Sequence, residues 1–111
     1  MKIVNRETFL KMPPNTVYTE YEQCTFGELM IKGETWEYND FLEQRVLEVE
    51  SDSGDFGELV DILEAAEKEG KSFNLDLQCE GRNGLFDDNQ LFAIFEKQDV
   101  EMLIEQLKEC V

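Results

Sequence analysis

The sequence predicts an α+β domain: a largely antiparallel sheet of about five strands, two main helices and a short N-terminal helix, packed mainly on one face. Three observations lead there. Strand-like segments cluster early in the chain and do not alternate regularly with helical ones, which argues for antiparallel pairing. Two segments in the second half carry an apolar period of 3.6 residues. Hydrophobic residues make up 41% of the 111, with eight Phe and one Trp. That supplies one compact core and a single domain over residues 1–111.

The elements follow in order. A short helix is expected from Arg6 to Lys11, with Asn5 as its cap and Phe9 and Leu10 facing inward. Pro13-Pro14 end it, because proline cannot donate to a helix ladder. Thr16-Val17-Tyr18-Thr19-Glu20-Tyr21 is β-branched and aromatic, and reads as a strand. Thr25-Phe26-Gly27 reads as a turn into a second strand, Glu28 to Lys32, and Gly33-Glu34 as a turn towards Trp36 and Tyr38. From Phe41 to Val49 the apolar residues partly fit either period; a strand is expected for the second half.

Ser51-Asp52-Ser53-Gly54 is a break, and Ser53 or Asp55 is placed to cap the next helix. Phe56, Leu59, Val60, Leu63 and Ala66 then fall on one buried face, and Gly70 stops the helix. Phe73, Leu75 and Leu77 alternate with polar residues, as in a half-buried strand. A loop from Cys79 to Asn89 carries the turn dipeptide Asn83-Gly84. Leu91-Phe92-Ala93-Ile94-Phe95 is apolar on both faces and reads as a central strand. Asp99 is expected to cap a last helix with Val100, Leu103, Ile104 and Leu107 inward.

Charge excludes several classes of function. There are 26 acidic residues against 10 basic ones, a net charge of −16. Such a chain repels nucleic-acid phosphates and anionic membranes and attracts basic partners. No stretch approaches the ~20 apolar residues of a membrane span, and the N-terminus lacks the apolar core of a signal peptide. Three widely spaced cysteines, at 24, 79 and 110, form no disulfide pattern and read as reduced thiols in a cytoplasmic protein.

Chemistry-bearing motifs are missing. With no histidine, Ser-His and Cys-His nucleophile pairs are excluded. No phosphate-binding or dinucleotide-binding glycine loop occurs, so no cofactor is implied. The stretch Glu50 to Asp55 fails the calcium-loop pattern, because Gly54 and Phe56 stand where oxygen ligands are needed after Asp52. The cysteines are too scattered for a zinc pattern. No catalytic, cofactor or metal residue is assigned.

The strongest local signal is acidic density. Glu48, Glu50, Asp52, Asp55, Glu58, Asp61, Glu64, Glu67 and Glu69 lie in one stretch against Lys68 alone. On the helix, positions 55, 58, 61, 64 and 67 step every third residue, ~4.5 Å apart along the axis. Such a row resembles a phosphate track and fits a basic groove; its plainer meaning is a solvated face. A second candidate is the loop from Glu80 to Asn89. There Phe86 is placed either as a partner anchor or as a plug at the core edge, beside the acidic pair Asp87-Asp88. That pair reads as a solvated turn or cap in preference to a cation site. Trp36 and Tyr38 share the ambiguity of Phe86.

Two stretches, Phe9-Leu10-Lys11-Met12-Pro13-Pro14-Asn15-Thr16-Val17 and Gly84-Leu85-Phe86-Asp87-Asp88-Asn89-Gln90-Leu91-Phe92, together with the acidity, resemble small uncharacterised acidic accessory proteins of bacteriophages and prophages. The resemblance covers about a fifth of the chain and implies no catalytic residue. It implies a bacterial host cytoplasm and a binding role directed at host or phage proteins.

The expected function is therefore a non-enzymatic interaction protein that binds a basic protein surface, as a nucleic-acid mimic or an inhibitor of a host nucleic-acid-binding or defence protein. The partner-binding residues expected are Glu48, Glu50, Asp52, Asp55, Glu58, Asp61, Glu64, Glu67, Phe86, Asp87 and Asp88. One alternative is a homo-oligomeric accessory domain, at its simplest a homodimer, with an apolar interface and acidity serving solubility alone. The third is a carboxylate-based, metal-dependent hydrolase.

Overall fold

Phe9 organises the fold. The computed structural model describes residues 1–37, 39–51 and 56–111. After a first strand β1 (Lys2–Val4), helix α1 (Arg6–Leu10) is started by Asn5, whose side-chain oxygen accepts from the Thr8 N–H at 2.9 Å. This single turn lays the Phe9 ring on one sheet face. The ring stacks on Phe92 at 4.0 Å between centroids and meets Tyr18 and Phe41 edge-on at 4.7 and 5.0 Å. All four rings are fully buried, with Met30 and Ile94 beside them.

The sheet is antiparallel throughout. Its further strands are β2 (Thr16–Glu22), β3 (Thr25–Phe26), β4 (Met30–Trp36), β5 (Asp40–Arg45), β6 (Gly81–Arg82) and β7 (Leu91–Ile94). Their order is β1-β7-β2-β4-β5-β6, with β3 folded back on β2. Tyr18 lies opposite both Ile94 and Met30, and Glu20 opposite Phe92. Directly opposed residues share a face, so this register gathers Tyr18, Met30, Phe92 and Ile94 under Phe9. With helices α2 (Phe56–Glu69) and α3 (Lys97–Lys108), the α+β class with an antiparallel sheet is as the sequence predicts.

Several local expectations are corrected. The turn after β2 is at Gln23-Cys24, both at positive φ (39° and 65°), joining the opposed pair Glu22 and Thr25. A two-residue link with both φ positive matches the right-handed strand twist, so Thr25 and Phe26 pair in the sheet. Gly33 is no turn: β4 runs through it, and the β4–β5 register shifts between Lys32 and Thr35. A Cβ at Gly33 would meet Glu80 Oε2 at 2.8 Å and Leu42 Cβ at 3.0 Å; glycine is there for close approach. The chain reverses instead after Trp36, with Glu37 at φ 48°. The strand in the 41–49 stretch occupies its first half, as β5, and Val49 makes only a bridge to Leu75.

The helices diverge from expectation in their packing. No residue of α2 or α3 is buried. Phe56 and Leu63, expected inside, are exposed, as are Ile104 and Leu107. The half-covered positions of α2 include Leu59, Val60, Ile62, Ala65 and Ala66, and those of α3 include Val100 and Leu103. The last helix begins at Lys97, and Asp99 caps it from its first turn, accepting from the Glu96 N–H at 2.8 Å. Gly70, at φ 71°, ends α2 as expected. The radius of gyration is 15.9 Å, above the ~13 Å of a closely packed chain of about 100 residues.

Polar groups are also drawn into the core. Arg6 donates to the Asn39 carbonyl at 2.8 Å and lies over the Phe41 ring. Lys32 donates to the Gly33 carbonyl and Thr35 Oγ1, both at 3.0 Å, and its ammonium stands 5.9 Å from the Phe9 ring centre. Burial pushes the Lys32 amine below its ordinary pKa, with Glu34 opposing. Each charge reaches the edge of the core on an aliphatic stem that packs inside it.

Candidate functional site

The acidic stretch lies outside the sheet, on an arm of chain between β5 and β6. Its root is a short backbone clip: the Glu50 N–H donates to the Asn74 carbonyl at 2.9 Å and the Asp76 N–H to the Glu48 carbonyl at 2.7 Å, around the antiparallel bridge Val49–Leu75. Phe73, Leu75 and Leu77, expected as a half-buried strand, are all exposed. Their alternation has only the 48–50 segment to pair with.

Between the two arms of the clip stands α2. Its Leu, Ala and Glu content favours helix. Glu58 in the first turn and Lys68 in the last suit the helix dipole. Asp61, Glu64 and Glu67 are exposed, and Glu58 is half-buried. Glu64 pairs with Lys68 at 3.9 Å, and Glu69 with Lys71 at 3.2 Å. Exposed pairs of this kind contribute ~1 kcal/mol or less. Among the described residues Asp61 and Glu67 make no ion pair. The proposed row therefore faces solvent at 61, 64 and 67. Asp52 and Asp55, Ser53 as a cap, and Tyr38 lie outside the described residues.

At the arm's root lies a recess of about 280 Å³, walled by Val49, Phe56 and Leu59 and flanked by Glu48 and Asp76. Cys79 also lines it. Its thiol is pushed above the ordinary pKa by burial and by the charges of Glu48 and Asp76. The three cysteines, 24, 79 and 110, are free and exposed. Periodicity did not reveal this recess, because its walls come from segments some 30 residues apart.

The 80s loop is built differently. Asp40 is fully buried and anchors the loop: its carboxylate accepts from the Phe41 N–H at 2.9 Å, the Gly84 N–H at 3.0 Å and Arg82 Nε at 3.2 Å. Burial pushes this carboxyl up, but the two amides and the guanidinium outweigh it and hold it below the ordinary range. Arg82 in turn lies 5.5 Å over the Trp36 ring. Gly84 supplies the positive φ of 69° that its turn needs. Phe86 is exposed at φ 53°, and Asp87 and Asp88 are exposed beside it. The Asp87 carboxylate accepts from the Asn89 N–H at 2.9 Å, closing a local turn.

A second recess, of about 190 Å³, opens on the sheet between Glu20, Glu28, Glu43, Arg45, Asn83 and Leu85. Glu43 accepts from the Tyr18 hydroxyl at 2.7 Å and Asn83 Nδ2 at 3.2 Å. Glu20 is raised above the ordinary carboxylate range by burial and by Glu43, while Arg45 pairs with Glu28 at 3.4 Å. Sequence reasoning missed this group; its members meet only through register.

Among the described residues no cluster of His, Cys, Asp and Glu has the geometry to hold a metal ion, and no helix is long and apolar enough to cross a membrane. Comparison with protein-family models, with curated proteins and with solved structures finds no match to this chain.

Proposed function

We propose that this chain is a non-enzymatic interaction protein that docks on a basic protein surface through the acidic residues of its 48–69 region. One observation carries the reading. Asp61, Glu64 and Glu67 face solvent along α2, a helix that buries no residue of its own. A helix held so loosely contributes little to the core, so its surface is open for a partner. Its charge repels phosphate backbones and favours a lysine- and arginine-rich groove. The proposal extends to a phage-type protein that occupies the nucleic-acid groove of a host protein.

The test is a pull-down from bacterial lysate at low salt, washed at physiological and then high salt, beside a variant with Glu58, Asp61, Glu64 and Glu67 neutralised. Screening shortens to ~8 Å at 0.15 M salt, so a partner held by carboxylates elutes steeply, and the variant retains none. Retention indifferent to salt, and lost on changing Phe86 or Trp36, would overturn the reading.

A second reading has its own support. Phe56, Leu63, Phe73, Leu75, Leu77, Ile104 and Leu107 are exposed, and exposed apolar side chains gathered into a patch mark an interaction surface. A homo-oligomer would cover it. Sedimentation at several concentrations separates the two readings.

A further inference from the structure

The arm carries apolar side chains among its carboxylates, and the two together specify a partner more closely than charge alone. Phe56 is 76% exposed, and Leu63 and Phe73 are also open. Asp61, Glu64 and Glu67 are exposed on the same helix as Phe56 and Leu63. The recess at the root joins the walls of Val49, Phe56 and Leu59 to the carboxylates of Glu48 and Asp76.

We propose that this recess receives a lysine or arginine side chain from a partner segment in which basic residues stand beside aliphatic ones. The inference rests on the proposed docking function and adds the chemistry of its occupant. A lysine or arginine has an apolar stem and a cationic head. The stem packs on Phe56, Leu59 and Val49 while the head meets Glu48 and Asp76. Neighbouring aliphatic residues of the partner cover Leu63 and Phe73. Charge selects against the other obvious occupant: a second copy would bring another net charge of −16 against a face already rich in carboxylates. Cys79 reports on the recess, because it lines it beside Glu48 and Asp76.

The test uses the whole protein with two synthetic peptides of equal positive charge, one alternating leucine and lysine, the other oligolysine. The alternating peptide should bind about tenfold more tightly, the gain from burying a few aliphatic groups. It should also slow alkylation of Cys79, with Cys24 and Cys110 as internal controls read by peptide mass. Phe56→Ser, at an exposed position that leaves folding intact, should erase most of the preference. The pair Glu48→Gln and Asp76→Asn should erase the protection of Cys79, with circular dichroism confirming that α2 is retained. Equal binding of the two peptides, with Cys79 unprotected, would overturn this inference and leave the docking reading standing. Failure of both peptides to bind at low salt would overturn the docking reading itself. A dimer that protects Cys79 without peptide would overturn the choice of occupant.

Discussion

The sheet beneath Phe9 and the arm that carries α2 are made from similar proportions of apolar residue, yet they use them oppositely. In the sheet, Phe9, Tyr18, Phe41 and Phe92 are fully buried and touch one another. On the arm, Phe56, Leu63, Phe73, Leu75 and Leu77 are exposed. The sheet is closed by register between many strands, whereas among the described residues the root of the arm shows a single antiparallel bridge, made by two backbone hydrogen bonds. The first region holds the buried core, and the second leaves its apolar side chains and carboxylates exposed.

The largest test of that division is Phe9→Ala. Removing the ring that four elements share should cost ~3–5 kcal/mol of unfolding free energy, read by urea denaturation. Phe56→Ala should cost under ~0.5 kcal/mol in the same assay. Similar losses at the two positions would break the comparison.

Next in size is Asp40, which ties the 80s loop to the sheet. Asp40→Ala leaves the buried Phe41 amide and the Gly84 amide without this acceptor and should cost ~2–4 kcal/mol. Asp40→Asn keeps an oxygen for them and should cost about half as much. Wild type and Asp40→Asn also separate by pH. The folded pKa of Asp40 is depressed, so its charge-dependent contribution is whole above the unfolded value of ~3.9 and is lost as pH falls through the lower folded value. Glu20 has the opposite sign: its folded pKa is raised by burial and Glu43, so its protonation favours the fold as pH falls towards ~4. The stability difference between wild type and Asp40→Asn should therefore be constant above about pH 5 and shrink below pH 4. A difference that holds steady at pH 3 would mean that Asp40 acts without its charge.

The smallest expected effect is on the arm. Reversing Asp61, Glu64 and Glu67 to lysine should leave the unfolding free energy within ~0.5 kcal/mol of wild type, since these side chains are solvated. Circular dichroism showing loss of the fold would place the row against the core and sink the division between the regions.

Legibility followed locality. Asn5, Gly70 and the run Leu91 to Ile94 were readable because a cap, a helix stop and a two-sided apolar strand each declare themselves within a few residues. Gly33 misled because glycine marks both turns and close approach; the Leu42 Cβ that crowds it comes from the neighbouring strand β5 and meets it only through register. Gln23-Cys24 misled for the opposite reason, being unlike the Asn-Gly or Asp-Gly that usually announce such a turn. Phe73, Leu75 and Leu77 show the limit of alternation, which records a pattern without a partner. On the candidate surface, the exposure of 61, 64 and 67 was legible from helical spacing. The recess at Glu48, Phe56 and Asp76 was not, because its walls meet only after the clip closes.

The stacking of Phe92 on Phe9 also bears on when the chain folds. Ile3 pairs with Ala93 and Tyr18 with Ile94, so β7, which lies between β1 and β2, leaves the ribosome well after both. Until it emerges, β1 and β2 lack their shared neighbour and Phe9 lacks its stacking partner. Long loops must close before these pairings reward the chain, which slows folding and leaves the earlier strands open to misassembly. Like charges on the acidic residues in between oppose association of nascent copies while β1 and β2 wait for the strand that joins them.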